Sequence, residues 1–391
     1  MSTAPLVRDP STSRLLDDGY DLVIQGSHLI VRKIPHVTPA GVVAYGCLAY
    51  PITVSGDRIS DDTGDHRIWF IGEQPCNEHG QALPGASAQV RAITRGLAAS
   101  FMISSKPLNG YADQYAKVTS YARMLSHPAQ ALDPTVTPTP GAGWQEVEDR
   151  MPFVYRDTAS SRAGLAELNS KFRAHRIAII GLGGTGSYIL DQVAKTCVDA
   201  IELFDGDFLD NHNAYRAPGA ADIEDLRGRP NKAEYYAERY SHMHTGITAH
   251  TAYLDEENVT LLEGATFVFL AAADAEARPA IMAWLTEHQI PLVDVGMGVE
   301  EADGHLSGLL RVTTHFPERA AGPAPAPDPA PAGGGMDEYD RNIQTADLNA
   351  LNAVLAVIAW KKYVGYYAEH THAVETIYKV FTGEIHNKGA E

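Results

Sequence analysis

Cysteine is scarce: Cys47, Cys76 and Cys197 stand far apart in 391 residues. Neither a disulfide framework nor a zinc knuckle built from Cys-x-x-Cys pairs can be drawn from them. Long apolar runs are missing as well. None approaches the roughly 20 residues needed to cross a bilayer, and Met1 to Leu16 lacks the hydrophobic segment of a signal peptide. A cytoplasmic chain with reduced thiols and no membrane partner is the expectation. Positive charge is in deficit, with 31 Lys and Arg against 49 Asp and Glu and a formal net charge of −18. Neutralisation of phosphates supplies most non-specific affinity for nucleic acids, so no nucleic-acid partner is expected.

The length predicts about two domains. Residues 1–18 read as a disordered lead-in, and residues 19–126 as a small α+β domain. Leu22-Val23-Ile24, the break at Gly26-Ser27 and Leu29-Ile30-Val31 predict a hairpin. Val42 to Val54 adds one or two strands, Arg58 to Asp65 a polar loop and His66 to Ile71 another strand. Helices are expected over Ser87–Ser100 and over Tyr111–Leu125. In the latter, Tyr111, Tyr115, Val118, Ala122 and Leu125 fall on one helical face. Prolines and threonines without periodicity make residues 127–148 a linker.

Residues 149–391 are organised around the stretch from Arg176 to Arg216. Ile177-Ala178-Ile179-Ile180 is a short, continuous apolar run ending at Gly181, the signature of a buried parallel strand. Gly181, Gly183, Gly184 and Gly186 let the backbone approach a phosphate, and the helix that follows points its amides at the anion. A second strand, Ile201 to Phe204, ends at Asp205, 24 residues after Gly181. A doubly wound sheet places a ribose-binding carboxylate there.

Strand and helix signals then alternate: strands at Thr248–Tyr253, Phe267–Ala271, Pro291–Val295 and Leu306–Thr314, and helices at Glu256–Glu263 and Ala277–His288. Such alternation implies right-handed βαβ units and a mostly parallel, Rossmann-like sheet. A short helix over Ser160–Lys171 precedes the first strand. Residues 319–335 form a crossover loop of alternating proline and alanine ending in three glycines. A helix over Ala346–Lys361, with Leu348, Leu351, Leu355 and Ile358 on its inner face, and a strand over Thr376–Thr382 complete the reading.

A glycine-rich turn alone serves a dinucleotide, a flavin or ATP equally. The run Asp205-Gly206-Asp207, then Asn213 and Arg216, Lys232, and Asp274 after a buried strand, narrows the choice. In this order the sequence resembles the ubiquitin-activating-enzyme superfamily with its bacterial relatives ThiF and MoeB, over roughly residues 151–391. The resemblance implies adenylation of the C-terminus of a ubiquitin-like protein, with ATP and magnesium as cofactors. By position, Asp205 would hold the ribose beside Asp207, and Asn213, Arg216 and Lys232 the triphosphate. Asp274 would be the magnesium ligand. Members work as dimers in which an arginine upstream of the glycine turn reaches the partner's site. Arg162 is the first choice for that role and Arg156 the alternative. In-line attack of a carboxylate on an α-phosphorus needs cations aimed at the departing pyrophosphate, and no general base.

The chain departs from the pattern in lacking the cysteine that forms a thioester after the magnesium aspartate. Three routes stay open. The reaction stops at the adenylate and a conjugating partner takes the product; or a hydroxyl of Ser307, Thr313 or Thr314, near His315, accepts the carboxyl; or Cys76, three residues before His79, does so. Residues 19–126 would recognise a carrier or partner. Other readings are adenylation of a short ribosomal peptide, a nicotinamide-dependent dehydrogenase, and an inactive scaffold.

Overall fold

The computed structural model describes residues 4–56, 58–60, 64–94, 96–141, 151–155, 157–163, 165–271, 277–317 and 343–389. The chain divides into two compact units, residues 1–151 with 155–167 and residues 152–154 with 168–391. No helix among the described residues is long and apolar enough to cross a membrane.

The first unit begins with α1 (Ala4–Arg8) and α2 (Pro10–Asp17), where a disordered lead-in was expected. Asp9 caps α2, its carboxylate accepting from the amides of Ser11 and Thr12 at 3.0 Å each. Pro10 supplies a first helical residue that needs no donor. Leu6 and Leu15, on these helices, are buried in the unit's core. The strands that follow are β1 (Asp21–Gln25), β2 (His28–Val37), β3 (Val43–Pro51), β4 (Thr53–Ser55), β5 (Arg58–Ser60), β6 (Ile68–Ile71), β7 (Ala86–Thr94) and β8 (Leu97–Ile103). Six of them form an antiparallel sheet in the order β1-β2-β3-β6-β8-β7, and β4 pairs with β5 in the segment read as a polar loop.

The helix expected over Ser87–Ser100 is instead the β7–β8 hairpin. Its alanines favour a helix, but Gly96 at φ 80° supplies a tight turn, and Ile93 and Ala99 bury against Trp69. α3 (Gln114–Leu132) covers the other face with Val118, Tyr121, Ala122 and Leu125. It accommodates Pro128 and continues into the segment read as linker, where Ala129 and Val136 are buried with Val37 and Cys76. Hydrophobic contact after the proline therefore outweighs the backbone bond the proline removes.

After the expected linker, α4 (Thr158–Ala163), α5 (Ala166–Asn169) and a 3-10 turn at Ser170–Phe172 replace one short helix. The second unit is a doubly wound α/β fold. Its elements are β9 (Arg176–Ile180), α6 (Gly184–Val193), β10 (Ala200–Phe204), α7 (Asn211–Ala214), α8 (Ile223–Gly228), α9 (Lys232–Ser241), β11 (Ile247–His250), a 3-10 turn at Val259–Leu262, β12 (Phe267–Leu270), α10 (Arg278–Glu287), β13 (Leu292–Ala302), β14 (His305–His315), α11 (Ala346–Tyr363), β15 (Ala373–Lys379) and β16 (Glu384–Gly389). The sheet runs β11-β10-β9-β12-β13-β14-β15-β16. The first five strands are parallel and the last three extend them antiparallel. Strand order reverses between β9 and β12, and a doubly wound sheet binds its ligand in the crevice above that point.

The alternation of strand residues explains the layers. Ala178, Ile180, Val268 and Leu270 pack with Ile281 and Leu285 of α10. Phe267 and Phe269 face the other way, against Trp360 of α11. The inner face of α11 is not the leucine stripe the sequence suggests. Leu348 is buried as expected, but so are Asn349, Asn352, Ala353, Ala356, Val357 and Trp360, whereas Leu351, Leu355 and Ile358 are half-buried. Small and polar residues let α11 lie close to α6: a Cβ on Gly184 would stand 2.3 Å from the Asn349 carboxamide. The Pro-Ala-Gly crossover at 319–335 lies outside the described residues.

Candidate active site

β9 ends at Ile180, level with Phe204 on one side and Leu270 on the other. The glycine turn leaves the sheet at this edge. Gly181 adopts φ 86°, a region a side chain disfavours. A Cβ on Gly186 would lie 1.9 Å from the Gly181 carbonyl oxygen, so only glycine lets the first turn of α6 fold back on the strand. At the N-terminus of α6, no atom of the described residues comes within 4 Å of where a Gly183 Cβ would stand.

Asp205, immediately after β10, stitches the turn to the sheet. Its carboxylate accepts from the Leu182 amide at 2.6 Å and from the Asp207 amide at 2.8 Å. It is 8% exposed, and burial pushes its pKa up while Lys232 pulls the other way. Lys232 opens α9 and is buried; its ammonium donates to Asp207 at 2.8 Å and lies 4.0 Å from Asp205. Burial raises the Asp207 pKa, but hydrogen bonds from Lys232 and Tyr253 outweigh it and hold the carboxyl below the ordinary range. Asn231 fixes this geometry. Its amide nitrogen donates to the carbonyls of Asp205 and Asp207 at 2.9 and 3.0 Å, and its oxygen caps α9 through the Ala233 amide at 2.8 Å. The two ends of a 26-residue separation are thereby locked together.

Asn213 lies in α7, 2% exposed, with its oxygen accepting from the Asp210 amide at 2.9 Å. Its Nδ2 is buried without a hydrogen-bond partner among the described residues. Arg216 follows one turn later, half-buried, its amide donating to the Asn213 carbonyl at 3.1 Å. It lies close enough to His212 that, after burial, it is the main influence lowering the His212 pKa. Thus Asp205, Asp207 and Lys232 gather at the glycine turn, at the carboxyl ends of β9 and β10, and Asn213 and Arg216 follow on the segment after β10.

The other expectations fare differently. Asp274 and Arg156 lie outside the described residues, and Arg162 falls on α4. Cys76 is no exposed nucleophile. It is 1% exposed, bridges in sheet fashion to Val37 and Ala82, and burial pushes its thiol up, away from the reactive thiolate. His79 is exposed, its Nε2 3.7 Å from Glu78. The Thr314 hydroxyl is buried and donates to the Ala373 carbonyl at 3.1 Å. Ser307 and Thr313 lie on β14, opposite Glu300 and Asp294. Among the described residues no group of three or more His, Cys, Asp or Glu could hold a metal ion. The described carboxylates nearest the glycine turn accept from backbone amides and pair with Lys232.

Sequence reasoning missed Asn231 and Tyr253. The asparagine precedes Lys232 and is followed by a helix, a capping signal that was available. Tyr253 donates its hydroxyl to Asp207, and its ring lies 2.5 Å from where a Gly206 Cβ would stand. It was read as the end of a strand. Asn349, which accepts from the Thr185 hydroxyl at 2.9 Å, was also missed, because nothing marks an asparagine in a helix as buried.

Residues 156–334 match the ThiF family. Residues 10–158 match a domain of unknown function, DUF6791. The tRNA threonylcarbamoyladenosine dehydratase of Escherichia coli (strain K12) is 30% identical over 129 residues, 32% of this chain and 47% of that protein, so the chain spans about half the length of this curated relative. Similar solved structures include E. coli MccB with MccA-N7isoASN (15% identity, 60% of this chain and 69% of that one, TM-score 0.49). Another is PaaA (17% identity, 57% and 76%, TM-score 0.43).

Proposed function

We propose that this chain is an ATP-dependent adenylating enzyme that activates the C-terminal carboxylate of a polypeptide, with a ubiquitin-like protein as the first candidate. The observation that carries the reading is the buried Lys232 beside Asp205 and Asp207 at the sheet edge where the glycine turn leaves β9. Such an ammonium, with Arg216 and the free Nδ2 of Asn213 nearby, suits a polyphosphate better than the uncharged half of a nicotinamide dinucleotide. The site also argues against a silent scaffold, since an inactive fold would not need to desolvate a lysine.

In the proposed reaction a carboxylate oxygen attacks the α-phosphorus of ATP, and the bond from that phosphorus to the bridging oxygen of pyrophosphate breaks. The acyl adenylate and pyrophosphate are the products. Amides of the glycine turn and of the α6 N-terminus hold phosphate oxygens. Lys232 and Arg216 offset charge gathering on the leaving group. Magnesium, held by Asp274 and by the phosphates themselves, would supply further charge neutralisation. Arg162 of a second copy would complete the site in a homodimer. With Cys76 buried, the adenylate passes to a separate conjugating partner, and residues 19–126 recognise the carrier or that partner.

The dehydratase relative acts, by its name, on a tRNA nucleoside. A net charge of −18 favours a polypeptide instead. The test is pyrophosphate–ATP exchange with candidate carriers and short peptides ending in a free carboxylate. Exchange that needs both ATP and the carboxylate supports the proposal; nicotinamide binding without exchange contradicts it.

A further inference from the structure

A second charged cluster lies on the far side of the glycine turn from Lys232. Asp294 of β13 pairs in register with Leu270, which pairs with Ile180, so it stands at the same sheet edge. It is 3% exposed. Arg278, at the start of α10, forms an ion pair with its Oδ1, and Arg311 of β14 holds a terminal nitrogen 3.7 Å from its Oδ2. Burial and the two guanidinium groups push the pKa of the nearby His315 imidazole down. Arg311, with its terminal nitrogen 3.7 Å from Asp294, has capacity for an anionic acceptor in a partly dehydrated place.

Two polar atoms show what else the occupant must offer. The buried Arg311 Nε has no acceptor among the described residues, and Asn352 Oδ1, on a fully buried side chain of α11, has no donor there. Both flank Gly296. Asn352 Nδ2 donates to the Gly296 carbonyl at 3.1 Å, and a Cβ on Gly296 would lie 3.3 Å from the Arg311 guanidinium. That bond also fixes the carboxamide, because flipping it would set two oxygens against each other. A fully ionised phosphate brings only acceptors and would leave Asn352 unsatisfied. A polypeptide C-terminus brings a carboxylate and, on the same residue, an amide N–H.

We propose that Arg311 and Asn352, positioned by Asp294, Arg278 and Gly296, form the subsite for the substrate's C-terminal residue, Arg311 pairing with the carboxylate and Asn352 Oδ1 accepting from that residue's amide. This rests on the adenylating role above and assigns the end of the molecule that the site takes.

The probe is an N-acetylated, randomised hexapeptide library prepared twice, with free C-terminal carboxylates and as C-terminal amides. Each is equilibrated with the full chain, and retained peptide is quantified by mass spectrometry. The wild-type chain is expected to retain the acids at least about 10-fold better, the usual advantage of a charge-assisted bond. Arg311→Gln should bring acids and amides within about 2-fold of each other. Asn352→Leu should weaken retention of the acids while preserving their preference over amides. Equal retention by the wild type, no retention of either library, or an acid preference surviving in Arg311→Gln would overturn the assignment. The wild-type comparison needs no variant to fold. ATP binding by the wild type is measured alongside: its absence counts against the nucleotide role, whereas intact ATP binding without acid preference counts against this subsite alone.

Discussion

Replacing Lys232 with methionine isolates the charge that the proposed chemistry uses, since the two side chains have similar length and the methionine can fill the same space. The ammonium lies 4.0 Å from Asp205 and 2.8 Å from Asp207. At an effective dielectric of about 20, the first separation alone corresponds to about 4 kcal/mol of attraction before the cost of dehydrating the lysine. The Asp207 side chain is 45% exposed, so solvent screening reduces its share to about 1 kcal/mol or less. Allowing for dehydration, a net loss of about 2–3 kcal/mol is expected, below the roughly 3–5 kcal/mol typical of breaking a fully buried pair. The sign of the pH dependence follows from Asp205. Burial already raises its folded pKa above the unfolded value, and losing Lys232 raises it further. Between those two values the folded state binds more protons than the unfolded one, so stability falls as pH rises through the window. Lys232→Met should therefore regain stability relative to wild type as pH is lowered from 7 towards 5. Adding Asp207→Asn should restore part of the stability at neutral pH without restoring nucleotide binding. Urea unfolding across pH, paired with ATP titration, reads both. A variant as stable as wild type at pH 7, or one that binds ATP with wild-type affinity, would refute the reasoning.

Gly186→Ala puts a methyl group 1.9 Å from a backbone oxygen, so a loss of at least about 2 kcal/mol is expected, with ATP binding abolished; calorimetry and ATP titration decide it. Trp360→Ala empties a fully buried site among Phe172, Phe267 and Phe269 and should cost about 3–5 kcal/mol in urea unfolding. Cys76, buried with a raised pKa, should resist iodoacetamide until the chain is unfolded, and Cys76→Ala should leave pyrophosphate exchange unchanged; rapid native alkylation seen by mass spectrometry would restore it as a nucleophile.

The elements around the glycine turn were readable because their signals are local. A buried parallel strand is a continuous apolar run, glycines crowd where backbone meets backbone, and Asp205, Asn213 and Lys232 occupy strand ends and helix starts fixed by spacing along the chain. Signals that depend on distant partners were not readable. The alanines of β7 and β8 favour a helix until each strand finds the other and Trp69. The α2 helix reads as a polar lead-in because its single buried leucine means little without the core it enters. Asn349 and Asn352 look like solvent-facing breaks in an apolar helix, yet α6 and β13 require polar groups there. The union of Arg278, Asp294 and Arg311 exists only in strand register. Cys76 misled for a related reason: a turn beside a histidine suggests access, and only the packing of Val37, Ala129 and Val136 closes it.

The bond between a carboxylate oxygen and the α-phosphorus is the centre of the account, and oxygen isotopes report on it directly. A polypeptide that supports pyrophosphate exchange is labelled with oxygen-18 in its C-terminal carboxylate, incubated with the chain and ATP, and the adenylate is released with hydroxylamine. The account predicts unlabelled pyrophosphate and AMP that carries the label, with Lys232→Met forming neither at the wild-type rate. Label in inorganic phosphate, with ADP as the nucleotide product, would contradict it.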